Sequence, residues 1–203
     1  MTPAMTRLPQ VQAFLDAAAV ALRKRVIEDA SRASVVRILK AAETVGSKGP
    51  PPLHLPVCSW FDPATAKMPD EPDLSRLVET LRDLFPFMVW RRRTGASTAS
   101  ASFDDGHANA MLLGPGGIED RRDVWIGLSL LAPHVRYPDH THSPEETYLV
   151  LSPGMFRTGA GDWFEPGIGG SFYNPPNEVH CMRSGEVPLL ALWALWVPHG
   201  EKN

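Results

Sequence analysis

Glycine is distributed very unevenly along this chain: thirteen of its 16 glycines follow residue 100, whereas its 20 prolines divide evenly between the halves. Glycine lets a backbone reverse at positive φ and weakens a helix interior by roughly 1 kcal/mol. The first half is therefore free to carry long helices, and the second is cut into short segments by turns. From Met111 onward the apolar runs are short and β-like: Val124 to Leu131, Thr147 to Leu151, Ser171 to Asn174, His180 to Arg183 and Leu189 to Val197. Strands this short, separated by Gly or Pro clusters at spacings of about 8–12 residues, indicate a sandwich or barrel.

The first half has the other period. Val11, Phe14, Leu15, Ala18, Leu22 and Val26 recur at helical spacing, with Arg23, Lys24 and Glu28 on other faces. Ser31 is placed to cap a second helix whose apolar face is Val35, Ile38 and Leu39. Gly46 to Pro56, with Pro50, Pro51 and Pro52, must be a non-helical connection. Asp73 then precedes Leu74, Leu77, Val78, Leu81 and Leu84, a third helix that Pro86 terminates. Arg91, Arg92 and Arg93 read as a solvated helix exit rather than an anion site, and Thr94 to Ser102 as a loop or boundary. The expected organisation is a helical region over residues 1–100 packing on an all-β barrel over residues 101–203.

Composition removes several function classes. Of 203 residues, 43% are apolar and 21% charged, which is ordinary for a soluble globular protein. Twenty basic against 23 acidic side chains leave a net charge of −3, so neither nucleic acid nor an anionic membrane is an expected partner. Cys58 and Cys181 are too few for a disulfide framework and lack C-x-x-C spacing; they read as buried free thiols. Met1 to Gln10 shows no secretion signal, and the longest apolar stretch, Leu189 to Val197, is far short of a membrane span. The expectation is a cytoplasmic protein, monomeric or homodimeric, acting on a small molecule.

The chemistry is concentrated near residue 140. In the string Tyr137-Pro-Asp-His140-Thr-His142-Ser-Pro-Glu145-Glu146-Thr-Tyr148, alternation puts His140 and His142 on one face of an extended chain. After the Ser143-Pro144 turn, Glu146, Tyr148 and Val150 share a face. Two imidazoles and a carboxylate facing one cavity suit one divalent first-row metal ion such as Zn, Fe, Mn, Co or Ni. His180, on a later strand, is a further ligand. His54, His107, His134 and His199 stand alone and read as surface or satisfied core residues. Tyr148, two residues beyond Glu146, should reach the metal or the substrate. A free phenol has a pKa near 10, and a neighbouring dication favours its phenolate, so Tyr148 is a plausible general base. Trp193 and Trp196, three apart in one strand, should face opposite sides, with one of them free to line the pocket; Trp125 and Trp163 are not assigned.

The two segments resemble the paired motifs of the cupin superfamily. H-x-H-x3-E is met by His140, His142 and Glu146, and G-x5-P-x-G-x2-H by Gly169, Pro175 and His180. Three positions depart from the pattern: His134 stands where motif one opens with glycine, Asn177 replaces the motif-two glycine, and Ser184 stands at its terminal Asn. Asn177 is a mild change because asparagine tolerates left-handed backbone. The implied fold is mainly β, a cupin double-stranded β-helix (jelly-roll barrel) preceded by an N-terminal α-helical extension.

The full string, three preceding helices and the chain length resemble a narrower group, the Q-class dimethylsulfoniopropionate (DMSP) lyases of marine bacteria. The resemblance implies a carbon–sulfur lyase that cleaves DMSP to dimethyl sulfide and acrylate by β-elimination. It places the metal ligands on His142, Glu146 and His180, and the base, which also touches the metal, on Tyr148. Tyr137 becomes a second tyrosine near the substrate, and His140 a pocket residue or variable ligand. The sulfonium suits an aromatic face, for which Trp193 is the expected side chain. Two rivals share these residues: another cupin metalloenzyme, a dioxygenase or isomerase, and a non-catalytic small-molecule-binding cupin.

Overall fold

The computed structural model describes residues 6–93 and 98–197. It opens with α1 (Pro9–Arg25), where Pro9 presets the first turn and Arg23, Lys24 and Arg25 complement the dipole of the last. The predicted stripe of Val11, Phe14, Leu15, Ala18 and Leu22 is buried. α2 (Asp29–Ala42) buries Val35 and Ile38 as its pattern requires. Ser31 is not its cap. Glu28 holds the extended N-cap backbone, and Ser31 lies inside the helix on the face toward the sheet, its hydroxyl 2.6 Å from that of Thr147.

After β1 (Ser47–Lys48), a 3-10 turn over Pro56–Trp60 leads into the short α3 (Phe61–Thr65), and then α4 (Pro72–Leu84). Asp73 sits within the first turn of α4 rather than before it. Its carboxylate accepts from Arg25 Nε at 2.7 Å and Lys24 Nζ at 2.6 Å, which ties α4 to the end of α1. Pro86 falls in the 3-10 turn that follows, Phe85–Phe87. The arginines leave a strand, not a helix, because β2 (Val89–Arg91) ends in the first of them. Of the loop expected over residues 94–102, residues 94–97 lie outside the described residues, as does His199.

α5 (Phe103–Gly106) is one turn long and runs into β3 (His107–Leu113), so regular β structure begins before Met111. There follow β4 (Glu119–Asp120), β5 (Val124–Leu131), β6 (Arg136–His140), β7 (Glu145–Val150), β8 (Met155–Thr158), β9 (Ser171–Asn174), β10 (His180–Arg183) and β11 (Leu189–Trp196). The expected strands coincide with β5, β9 and β10, and differ by one or two residues at β7 and β11. No helix among the described residues is long and apolar enough to cross a membrane.

The strands form two sheets. The larger has the order β1-β4-β3-β5-β11-β7-β9, with β2 also paired to β3; the smaller is β6-β10-β8. Because β1 and β2 come from before residue 100, helical and β segments share one core rather than meeting at a boundary there. The larger sheet separates its two faces by alternation, interrupted on β3 where the register shifts between Met111 and Leu113. Ala110, Leu112, Leu128, Leu130, Leu190 and Leu192 point to the helices and pack with Phe14, Leu22, Ile38, Leu77 and Leu81. Their neighbours Asn109, Ser129, Tyr148 and Trp193 point the other way, toward a cavity bordered by β6. The result is a two-sheet β-barrel, as the cupin resemblance implies, with its larger sheet backed by the N-terminal helices.

Candidate active site

β6 and β10 bring the histidines together. They pair antiparallel with His180 opposite His140, and the two rings lie 4.1 Å apart between centroids. His142 follows just past the end of β6, its ring 4.9 Å from that of His180. One ring nitrogen from each of His140, His142 and His180 lies within 4.8 Å of the others. Glu146, at the start of β7 on the opposite sheet, reaches across: its Oε2 is 3.1 Å from His180 Nε2 and 3.4 Å from His142 Nε2.

Each histidine is anchored by its other nitrogen. Nδ1 faces a backbone carbonyl in all three: Pro138 for His140 at 2.9 Å, Pro144 for His142 at 2.8 Å, and Glu178 for His180 at 2.9 Å. A carbonyl oxygen only accepts, so each Nδ1 carries the hydrogen and a neutral ring leaves its lone pair on Nε2. Carbonyl contacts of this kind orient metal-ligating histidines. The buried Nε2 atoms of His142 and His180 have no hydrogen-bond partner, and they face a carboxylate oxygen. Lone pairs directed at an anion repel unless positive charge stands between them, so this donor set fits a divalent transition metal ion. Asn174 Nδ2 donates to the same Glu146 oxygen at 3.1 Å and fixes the carboxylate.

The electrostatics agree with that arrangement. Burial works against the Glu146 carboxylate, yet its closeness to the His142 and His180 imidazoles holds its pKa well below the usual range. Burial likewise opposes a charged His142, but Glu146 outweighs it and raises the pKa. His140 is pushed down to about 3 by burial and by His180.

Tyr148 is 3% exposed and stacks on Phe172 at 4.9 Å, with its ring 6.4 Å from that of His180. Burial, followed by the negative charge of Glu146, lifts its phenol well above 10. Proton loss from this phenol therefore needs a compensating positive charge close by. Tyr137, 4% exposed on β6, lies 4.9 Å from His140 between ring centroids. Both tyrosines, His140, His142, Glu146 and Trp193 line one cavity of about 220 Å³. Larger hollows lie beside Pro50–Pro52, about 700 Å³, and beside His54 and Phe85, about 560 Å³, but neither gathers a comparable set of ligands.

Trp193 is on the cavity side of β11 and Trp196 on the helix side, near Arg37. Gly127 on β5 makes room for Trp193: a Cβ there would lie 2.3 Å from the indole. Trp125 also lines the cavity, whereas Trp163 lies away from it beneath the guanidinium groups of Arg136, Arg157 and Arg183. Asn177 has φ 62°, so the substituted motif position is left-handed. Cys58 and Cys181 are buried free thiols, and His107 is a satisfied core residue between Phe103 O and the Arg93 backbone N–H.

Among the cavity residues not singled out in the sequence as parts of the site, three are polar: Arg93, Asn109 and Ser129. A signal existed for two of them. Asn109 and Ser129 are polar positions inside otherwise apolar strands, and they stand directly opposite each other across β3 and β5. Arg93 carried no such mark, being one of three adjacent arginines.

The family model for dimethylsulfoniopropionate lyase matches residues 30–191. The dimethylsulfoniopropionate lyase DddQ of Ruegeria pomeroyi is 28% identical over 147 residues, spanning 70% of this chain and 73% of that protein. The crystal structure of DddQ from Ruegeria pomeroyi superimposes with a TM-score of 0.74 at 20% identity, over 97% of this chain and 95% of that one. A structure from the study of the DMSP lyases RdDddP and RnDddQII gives 0.71 at 21% identity, over 95% of each chain. At these identities the superpositions show the shared fold, and the family match spans most of the sequence. The chain belongs to the dimethylsulfoniopropionate lyase family of carbon–sulfur lyases.

Proposed function

We propose that this protein cleaves DMSP to dimethyl sulfide and acrylate by β-elimination, with Tyr148 as the general base. One divalent transition metal ion would be held by His142, Glu146 and His180, with Tyr148 beside it and His140 as a further nitrogen donor or pocket residue. The observation that carries this reading is the convergence of unpartnered imidazole nitrogens on the Glu146 carboxylate beside a buried phenol. When bound, the cation supplies Lewis-acid stabilisation of the charge that develops on the substrate carboxylate and on the phenol oxygen.

The chain's own residues account for the rest. The Tyr148 oxygen, in the phenolate form that the cation would favour, takes the proton from the carbon alpha to the carboxylate and becomes the neutral phenol. The released electron pair forms the Cα–Cβ double bond, the Cβ–S bond breaks with its pair on sulfur, and dimethyl sulfide departs uncharged without an acid. Trp193 offers an indole to the sulfonium, while Tyr137 and His140 border the carboxylate end. Burial of Tyr148 keeps bulk water from the reacting carbon.

The direct test is to incubate the purified protein with DMSP and measure headspace dimethyl sulfide together with acrylate. Equal amounts of both products are expected; oxygen uptake, or binding without product, would sink the proposal. His180→Ala should lower the metal content found by elemental analysis, and unchanged occupancy would remove His180 from the ligand set.

A further inference from the structure

Beside the metal-ligand cluster, the cavity wall carries a chain of hydrogen bonds that runs in one direction. It starts at Trp193, whose indole Nε1–H can only donate. That group donates to Ser129 Oγ at 3.1 Å. With its oxygen accepting there, Ser129 donates its own hydrogen to Asn109 Oδ1 at 2.7 Å. The Asn109 amide is thereby oriented, and its Nδ2–H donates to the Tyr137 oxygen at 2.9 Å. Three strands, β11, β5 and β3, contribute the donors, and β6 contributes the phenol that receives the last of them. Register makes the relay possible, because Ser129 pairs with Asn109 across β3 and β5.

The consequence falls on Tyr137. A phenol has one hydrogen, and when Asn109 donates to its oxygen that hydrogen must point elsewhere. Arg93, which lines the same cavity, carries only donors. Neither neighbour accepts from the phenol, and the remaining side is the cavity that Tyr137 lines with His140 and Tyr148. We infer that Asn109 is a positioning residue: by donating to the Tyr137 oxygen it turns the Tyr137 hydroxyl into a donor aimed into the cavity, where it binds a carboxylate oxygen of the substrate. This rests on the reading of the cavity as a DMSP site, and it gives the two tyrosines opposite duties. Tyr148 removes a proton, while Tyr137 keeps its own and offers it as a hydrogen bond. The relay begins at the indole proposed to meet the sulfonium and ends at Tyr137, so one set of hydrogen bonds orients groups at both ends of the bound molecule.

The test is equilibrium binding of acrylate, the carboxylate product, to the metal-containing protein, followed by calorimetry. Tyr137→Phe should weaken acrylate binding about tenfold, the scale of one hydrogen bond to a charged group. Asn109→Leu, close in size but unable to donate, should weaken it about fivefold. In the Tyr137→Phe background, Asn109→Leu should cause no further loss, because it acts only through the missing hydroxyl. A purely structural role would lower the melting temperature and leave the two losses multiplying. If Asn109→Leu does not fold, Ser129→Ala tests the same relay, with a loss of about threefold that also vanishes in the Tyr137→Phe background. Multiplying losses, wild-type affinity in Asn109→Leu, or no acrylate binding by the unsubstituted protein would each overturn the inference. Dimethyl sulfide release is read separately: its absence alongside a coupled effect on acrylate would overturn the proposed reaction and leave the role of Asn109 standing.

Discussion

Ala110, Leu128 and Leu192 on the larger sheet meet only apolar neighbours and the helices behind them, whereas Asn109, Ser129 and Trp193, one residue away on the same strands, meet one another and a cavity. The two faces differ in what satisfies them. On the helix side, burial of apolar area is non-directional and tolerant of small displacement. On the cavity side, each polar atom needs a named partner at hydrogen-bond distance, and an unmet one is costly. Stability and chemistry are thus separated by the thickness of one sheet, with the unpartnered imidazole nitrogens of His142 and His180 kept on the cavity side.

If that separation holds, substitutions on the two faces should give opposite results. Tyr148→Phe should lower dimethyl sulfide production by about a thousandfold, within the range for losing a general base. Its metal content and melting temperature should stay near those of the unsubstituted protein; substantial retained turnover would break the assignment. Leu77→Ala, fully buried on the helix side, should do the reverse. We expect about 2–5 kcal/mol of lost stability in urea unfolding, with turnover per folded molecule unchanged.

The junction between α1 and α4 adds a pH dependence to the helix side. Arg25 first, and Lys24 with it, hold the Asp73 carboxyl well below the usual carboxylate range despite the opposing effect of burial. A group whose folded pKa is depressed contributes stability above its unfolded value, about 3.9, and loses that contribution as pH falls toward the folded value. Asp73→Asn should therefore cost about 2–3 kcal/mol at neutral pH and flatten the decline in urea midpoint below about pH 4. An unchanged acid limb would show that the pair does not secure the helices. The last substitution is Gly127→Ala, whose added methyl would lie 2.3 Å from the Trp193 indole and 2.4 Å from the Ala110 carbonyl oxygen. It should cost about 1–3 kcal/mol and alter the near-ultraviolet circular dichroism of the cavity tryptophans; an unaltered spectrum would mean that the indole does not pack against this position.

What was legible in the residues, and what was not, follows the same division. The stripe from Val11 to Leu22 and the runs that became β5, β9 and β10 were visible because period and turn residues are local properties. Ser31 misled because a serine before an apolar run looks like a cap, and only the packed sheet shows that its hydroxyl faces Thr147. The start of the β region was placed too late because Val89 to Arg91 is too short to show alternation and is a strand only by pairing with β3. His140, His142, Glu146, Tyr148 and His180 were legible as a group because their spacings are themselves the signature of the site. Arg93 and Asn109 were not, since their place beside Tyr137 depends on which strands adjoin.

By itself, the order of residues determined the two periodicities, the turn-rich second half and the identity of the clustered histidines and Glu146, all of which are written along a few neighbouring positions. Only the tertiary structure decided that Nε2 rather than Nδ1 faces Glu146, that Trp193 rather than Trp196 enters the cavity, and that a donor chain from Trp193 ends at Tyr137. Each of those outcomes depends on the register and facing of strands distant along the chain, and a hydrogen bond has a direction only once both of its partners are in place.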